Sequence, residues 1–282
     1  MRVAEEEVNV YDISPETLKT EVPVVLAPGF SATPMAHEQN ILGLAKAGRR
    51  VISADSPHGL QQPTVEGLRQ GAYSEVELAK LSAVIQALEE RGIEQADVVA
   101  HSEGALYMAL AAYLYPGRFR NMVFLNPAGM IGKDNLFRAA KGMITELAGQ
   151  AKAEAKRTDT DRYKEELTNP LLPLRVLLAN LKRTKASVEA ITESDIIEML
   201  KELKKEGVGI SIIHGVDDKV FPMERMQKEI GKDTVTGFYS VRGGHNEVFI
   251  RPEQYTNAAD AALDALEARS NAASDKQSQR SS

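Results

Sequence analysis

The strongest constraint on the fold is a series of short, nearly unbroken apolar runs. They read "VPVVLAPG" (22–29), "RRVISADS" (49–56), "ADVVAHS" (96–102), "NMVFLNPAG" (121–129), "VGISIIHG" (208–215) and "TVTGFYSV" (234–241). A strand with one wet face alternates apolar and polar residues. Most of these do not alternate, so they must be buried on both faces, as in a parallel sheet covered by helices. The segment between the second and third runs carries the matching helical pattern. Ser74 and Glu77 have the spacing of a capping box, in which each side chain reaches the other residue's backbone N–H. Leu78, Leu81, Ile85 and Leu88 keep one face apolar, and Gly92 stops the run. Strand and helix in this rhythm predict an α/β fold with a doubly wound, mostly parallel sheet.

The rhythm breaks after Asn126. From Pro127 to Gly207 no strand-like run occurs, and "LFRAAKGMITELAGQAKAEAKR" (136–157), "NPLLPLRVLLANLKR" (169–183) and "SDIIEMLKELKKEG" (194–207) are all helical in pattern. The sheet resumes cleanly at Val208. Residues 1–127 and 208–268 therefore form the expected core, with 128–207 as a helical cap insertion. The closing stretch "SNAASDKQSQRSS" is small and polar, so 269–282 is expected to be a disordered tail. A chain of 282 residues is long enough for one large domain with such an insertion.

Composition removes several function classes. The net charge of −6 leaves no electrostatic footprint for nucleic acid, and no basic amphipathic helix suggests a membrane surface. With no cysteine, disulfides, thiolate metal sites and cysteine nucleophiles are excluded. The N-terminal stretch has no signal-peptide core and no apolar run nears the length of a membrane span, so a cytoplasmic location is expected.

The chemistry concentrates where the third run ends, in "VVAHSEGALYMAL" (98–110). A buried strand stops on Ser102 and an alanine-rich helix begins at once. Ala-His-Ser-Glu-Gly is one step from G-x-S-x-G, with Ala100 in the first glycine position. Residues two positions from a serine on so tight a turn must be small where strand and helix nearly collide. An alcohol needs a base to act as a nucleophile. Of the five histidines, His101 and His214 lie at strand ends, His37 in an early helix and His58 in the loop "DSPHGL". His245 follows "VRGG" after the last run, at the same sheet edge as Ser102, and is the best candidate base. A carboxylate must fix its tautomer, and "HGVDDKVFP" offers Asp217 and Asp218.

On these residues the chain resembles the serine-nucleophile α/β hydrolases, from "VVLAPGF" to "GGHNEVFIRPE". The resemblance implies the α/β-hydrolase fold and the chain order Ser102, Asp218, His245. The G-x-x-D spacing from Gly215 puts the acid on Asp218, and "KVFP" continues the pattern. It also implies an oxyanion hole made by the backbone N–H groups of Glu103 and of Phe30, where this chain has Pro28-Gly29 in place of the more usual His-Gly. Asp55 resembles an aspartate that is usually structural.

The resulting expectation is an enzyme: a serine hydrolase of carboxylic esters working through an acyl-enzyme, with no metal or organic cofactor. Its substrate would be a small, apolar, ester-type molecule, selected by the cap, with Met130 and Met143 as candidate lining residues. Carbon–carbon or thioester hydrolysis on the same residues is the alternative within enzymes, and a catalytically silent ligand-binding or receptor protein is the alternative outside them. For the Glu103 side chain, the ordinary role is a carboxylate in a first helical turn; contact with substrate or with His245 is the sharper one.

Overall fold

The computed structural model describes residues 2–3, 6–57, 74–132, 134, 138, 141–146, 148 and 181–281. His58 and most of the residues read as the first two helices of the insertion lie outside these. The strands are β1 (Arg2–Val3), β2 (Glu6–Glu7), β3 (Val10–Ile13), β4 (Val24–Ala27), β5 (Val51–Ala54), β6 (Ala96–His101), β7 (Phe119–Leu125), β8 (Gly209–Gly215) and β9 (Gly237–Val241). The described helices longer than one 3-10 turn are α1 (Glu38–Lys46), α2 (Glu75–Glu89), α3 (Gly104–Leu114), α4 (Leu181–Glu193), α5 (Ile197–Lys205), α6 (Met223–Glu229), α7 (Glu247–Ile250) and α8 (Pro252–Ser281).

Seven strands form one sheet in the order β3-β5-β4-β6-β7-β8-β9; β3 is antiparallel to β5 and every other pair is parallel. The expected apolar runs are all in it. Its antiparallel edge strand β3, "VYDI", was not among them; with polar Asp12 and half-exposed neighbours it carries little apolar signal. The sheet separates two apolar layers. Val25, Ala27, Val98, Ala100, Met122, Phe124 and Ile212 face α2, α3 and α5, whereas Val24, Leu26, Val99, Val123, Leu125 and Ile213 face α1 and α8. The alternation of side chains along each strand thus feeds two cores, and the doubly wound arrangement follows.

One sequence expectation needs correcting. Ser74 is the residue before α2 but makes no side-chain capping bond, so the capping box does not form. Glu77 is instead buried, drawn toward Lys80 and Glu103. α8 runs from Pro252 as far as Ser281. Residues 269–281 contain no proline and carry Ala, Lys, Gln and Arg, which extend a helix that is already nucleated at little cost. Inside the block 128–207, α5 packs on α3 and contributes Ile197, Leu200 and Leu203 to the main core, so it serves as a layer helix of the sheet. No helix among the described residues is long and apolar enough to cross a membrane.

Candidate active site

Ser102 stands at the C-terminal edge of the sheet, between β6 and α3. Its backbone has φ 54°, in the left-handed region that side-chain-bearing residues rarely adopt. A serine held there points its Oγ away from both elements, which accounts for the abrupt end of a strand on a polar residue. The turn is possible because of glycine. A Cβ on Gly104 would lie 2.5 Å from the Ala27 carbonyl oxygen of β4, and one on Gly29 would lie 2.9 Å from the Ser102 Cβ. Gly29 therefore lets the loop after β4 press directly against the serine. Ala100, in the other small position, is fully buried in the sheet.

His245 and Asp218 reach Ser102 from the loops after β9 and β8. His245 Nε2 is 2.9 Å from Ser102 Oγ, and His245 Nδ1 is 2.9 Å from Asp218 Oδ2. A carboxylate can only accept, so Nδ1 carries the proton and Nε2 is left to accept from the serine hydroxyl. The other oxygen, Asp218 Oδ1, accepts from the backbone N–H groups of Val220 and Phe221, each at 2.8 Å. All three residues are buried, between 1% and 3% exposed. Asp217, the competing carboxylate, is exposed, and its backbone N–H bonds to the Gly243 carbonyl.

The surrounding groups hold this line in place. The His214 Nε2–H donates to the Phe221 carbonyl at 2.8 Å, and burial keeps His214 below the usual histidine range. His101 Nε2–H donates to the His245 carbonyl at 3.3 Å. Rings pack on the imidazole of His245 from both sides, Phe221 edge-on at 5.1 Å and His101 tilted at 5.1 Å. His37 and Phe249 complete the cluster behind His101. From the segment following β7, Arg138 donates to the carbonyls of Lys219 and Val220, and Glu146 accepts from the Lys219 N–H.

Sequence reasoning passed over Asn126. It ends β7, is fully buried, and has φ 47°. Its side-chain Oδ1 accepts from the Gly215 N–H at 2.8 Å, and its Nδ2 donates to the His245 carbonyl at 2.9 Å. One amide thus ties the loop of Asp218 to the loop of His245. The signal was present in "LNPAG": a polar amide at the buried end of an apolar strand, of a residue type that tolerates the left-handed region.

The Phe30 and Glu103 N–H groups donate to no backbone carbonyl among the described residues; Glu103 follows the serine, and Phe30 follows Gly29, which lies against it. The Glu103 carboxylate is fully buried and lies 2.5 Å from Lys80 Nζ on α2. Met130 is fully buried in the core and Met143 half-buried against it; the Ala128 N–H, two residues before Met130, bonds to the Ser102 carbonyl. Asp55 exchanges bonds with Asn9 beside the edge strand. His58 is outside the described residues, and among them no cluster of metal-ligating side chains occurs.

Comparison with known proteins places the fold. Over 257 residues the chain is 26% identical to the "Putative non-heme haloperoxidase" of Mycobacterium phage D29, covering 86% of this chain and 88% of that protein. A bromoperoxidase structure from Bacillus anthracis superposes with a TM-score of 0.64 at 19% identity, covering 91% of this chain and 95% of the other. A thermophilic esterase from Thermogutta terrifontis superposes with a TM-score of 0.62 at 17% identity, covering 92% and 93%. Residues 24–259 match the family described as the alpha/beta hydrolase family, nearly the whole sheet and both helical layers. This chain belongs to the alpha/beta hydrolase family and is a hydrolase.

Proposed function

We propose that this hydrolase cleaves carboxylic esters of small, apolar substrates with Ser102 as nucleophile. The observation that carries the reading is the continuous hydrogen-bonded line Ser102 Oγ, His245 Nε2, His245 Nδ1 and Asp218 Oδ2, with 2.9 Å at each step between residues. In this reading Ser102 Oγ attacks the ester carbonyl as its proton passes to His245 Nε2. The Phe30 and Glu103 N–H groups bind the oxyanion; removal of one such donor costs about 3 kcal/mol where it has been tested. The leaving alkoxide takes the proton from His245, which leaves an acyl group on Ser102. Water then attacks, again giving its proton to His245, and the acid departs as the proton returns to Ser102. Asp218 keeps the Nδ1–H in place and stabilises the charged imidazole.

No organic cofactor or metal enters this sequence. The segment around Met130 and Met143, on the side of the insertion, is the proposed contact for the apolar group. The Glu103 carboxylate takes no part in the bond-making steps, because Lys80 engages it on the far side of the peptide.

The test is hydrolysis of a p-nitrophenyl ester series, from acetate to long acyl chains, by the wild type and by Ser102→Ala. Turnover by the wild type and a loss of at least about 10³-fold in the variant is expected. If neither protein cleaves any ester, or if the variant retains activity, the esterase reading fails.

A further inference from the structure

Directly behind Ser102, between α2 and α3, four polar side chains are buried together: Glu77, Lys80, Glu103 and Tyr107, between 0% and 6% exposed. Lys80 Nζ lies 2.5 Å from Glu103 Oε1 and 3.7 Å from Glu77 Oε1, and 5.8 Å above the Tyr107 ring. The Tyr107 hydroxyl donates to the Pro28 carbonyl at 2.9 Å. Ser187 Oγ, on α4, is 3.5 Å from the same ammonium. Nothing in the reaction described above uses these groups.

Their burial asks for a reason. A buried ionic cluster is often no more stable than apolar residues of the same volume, and α2 and α3 have apolar partners to spare. Two carboxylates share one ammonium here. Burial pushes the Glu77 carboxyl well above its usual range, against the pull of Lys80 and with Glu103 beside it, which favours a neutral Glu77. Lys80 is the cation that both buried carboxylates face, at 2.5 Å from Glu103 and 3.7 Å from Glu77, so it ties α2 to the residue that precedes α3.

The placement of its members is the informative point. Glu103 is the residue whose own N–H faces the reacting carbonyl in the reading above. Tyr107 grips Pro28, next in sequence to Gly29, and the peptide from Gly29 to Phe30 supplies the other N–H. We propose that the Glu77–Lys80–Glu103–Tyr107 cluster is the frame that positions both donors of the oxyanion hole. Glu103, Lys80 and Tyr107 act through the backbone and not on substrate; they are positioning residues. The inference rests on the serine-hydrolase reading of Ser102.

The experiment compares the wild type with Tyr107→Phe and Glu103→Gln, each a change of one or two atoms. Ester turnover, the rate of Ser102 labelling by a fluorophosphonate and the melting temperature are measured for each. Attack on phosphorus develops the same kind of oxyanion, so labelling reads the hole without depending on the choice of ester. Both variants are expected to lose roughly tenfold in kcat and in labelling rate, with KM within about twofold, since a displaced donor forfeits part of what a deleted one does. Should Glu103→Gln fail to fold, Tyr107→Phe decides alone. Rates within twofold of wild type in folded variants overturn the inference, and so does a lowered melting temperature with kcat intact. If the wild type itself neither turns over esters nor labels at Ser102, the serine-hydrolase reading fails and takes the inference with it; if Ser102→Ala alone is inactive, only the frame is wrong.

Discussion

At the scale of single residues, the site depends on a few positions where backbone and side chain must both be right. Asn126 shows this best. Its φ of 47° is one that asparagine tolerates better than most residues, and its amide is used at both ends. Asn126→Ala keeps the unfavourable backbone, strands the buried Gly215 N–H and leaves the His245 carbonyl with only its longer bond from His101. A loss of about 2–4 kcal/mol in urea unfolding is expected, with kcat down by about tenfold as His245 and Asp218 drift apart. Asn126→Gly relieves the backbone and is expected to recover about 1 kcal/mol of stability, but little of the rate. An alanine variant as stable and as active as the wild type would refute the clamp.

Residue by residue, the parts of the site that could be read from the sequence are those whose chemistry is written in side-chain type and spacing. Ser102 between a strand and a small-residue helix, His245 after two glycines, and Asp218 three residues beyond Gly215 are such cases; the structure brings all three within hydrogen-bond reach. What remained hidden depends on contacts between distant segments. Glu77 has the local spacing of a cap, yet its carboxylate is buried 3.7 Å from Lys80, whose ammonium also holds Glu103, the residue before α3. Tyr107 reads as one more apolar helix residue until Pro28 is found beside its hydroxyl.

At the scale of elements, β3 was the least legible, because it is a four-residue strand at the sheet edge with Asp12 exposed in it. Its register on β5 is reinforced by Arg50 bonding Asp12 with two hydrogen bonds. α8 is anchored near its middle by charge. Arg49, just before β5 and fully buried, lies 2.5 Å from Asp260 and 2.6 Å from Asp264, and Lys19 engages the same two carboxylates. The loop before β5 is thereby pinned to the helix that covers one face of the sheet. Arg49→Met keeps the bulk and removes the charge. It is expected to cost about 1–3 kcal/mol, below the usual figure for breaking a buried pair, because both carboxylates touch solvent and Lys19 remains. Urea unfolding measures it; a variant unfolding at the wild-type midpoint would mean that the apolar contacts of Tyr255, Ala259 and Leu263 hold α8 unaided.

At the scale of the whole molecule, three buried histidines make stability depend on pH. Burial holds His37 down to about 3, His101 well below the usual range, and His214 below it. For each, the folded value lies under the unfolded value of about 6.5. The unfolded chain therefore binds the proton more readily. The stability these neutral imidazoles contribute is complete above pH of about 6.5 and falls as pH drops toward their folded values, by at most about 1.4 kcal/mol per pH unit for each histidine. Glu77 opposes this, since its raised value makes the folded state the stronger proton binder above its unfolded pKa. A single stability curve mixes these contributions, so the useful measurement is a difference. His37 packs between His101 and Phe249, and its Nε2 has no partner among the described residues; phenylalanine removes only the 3.4 Å bond from Asn40 Nδ2 to His37 Nδ1, and that amide still donates to the Val248 carbonyl. Between pH of about 6.5 and 4.5 the wild type is expected to lose at most about 1.4 kcal/mol per pH unit relative to His37→Phe. Parallel curves over that range would mean that His37 is protonated in the folded protein, and that the ring cluster behind His245 carries a charge.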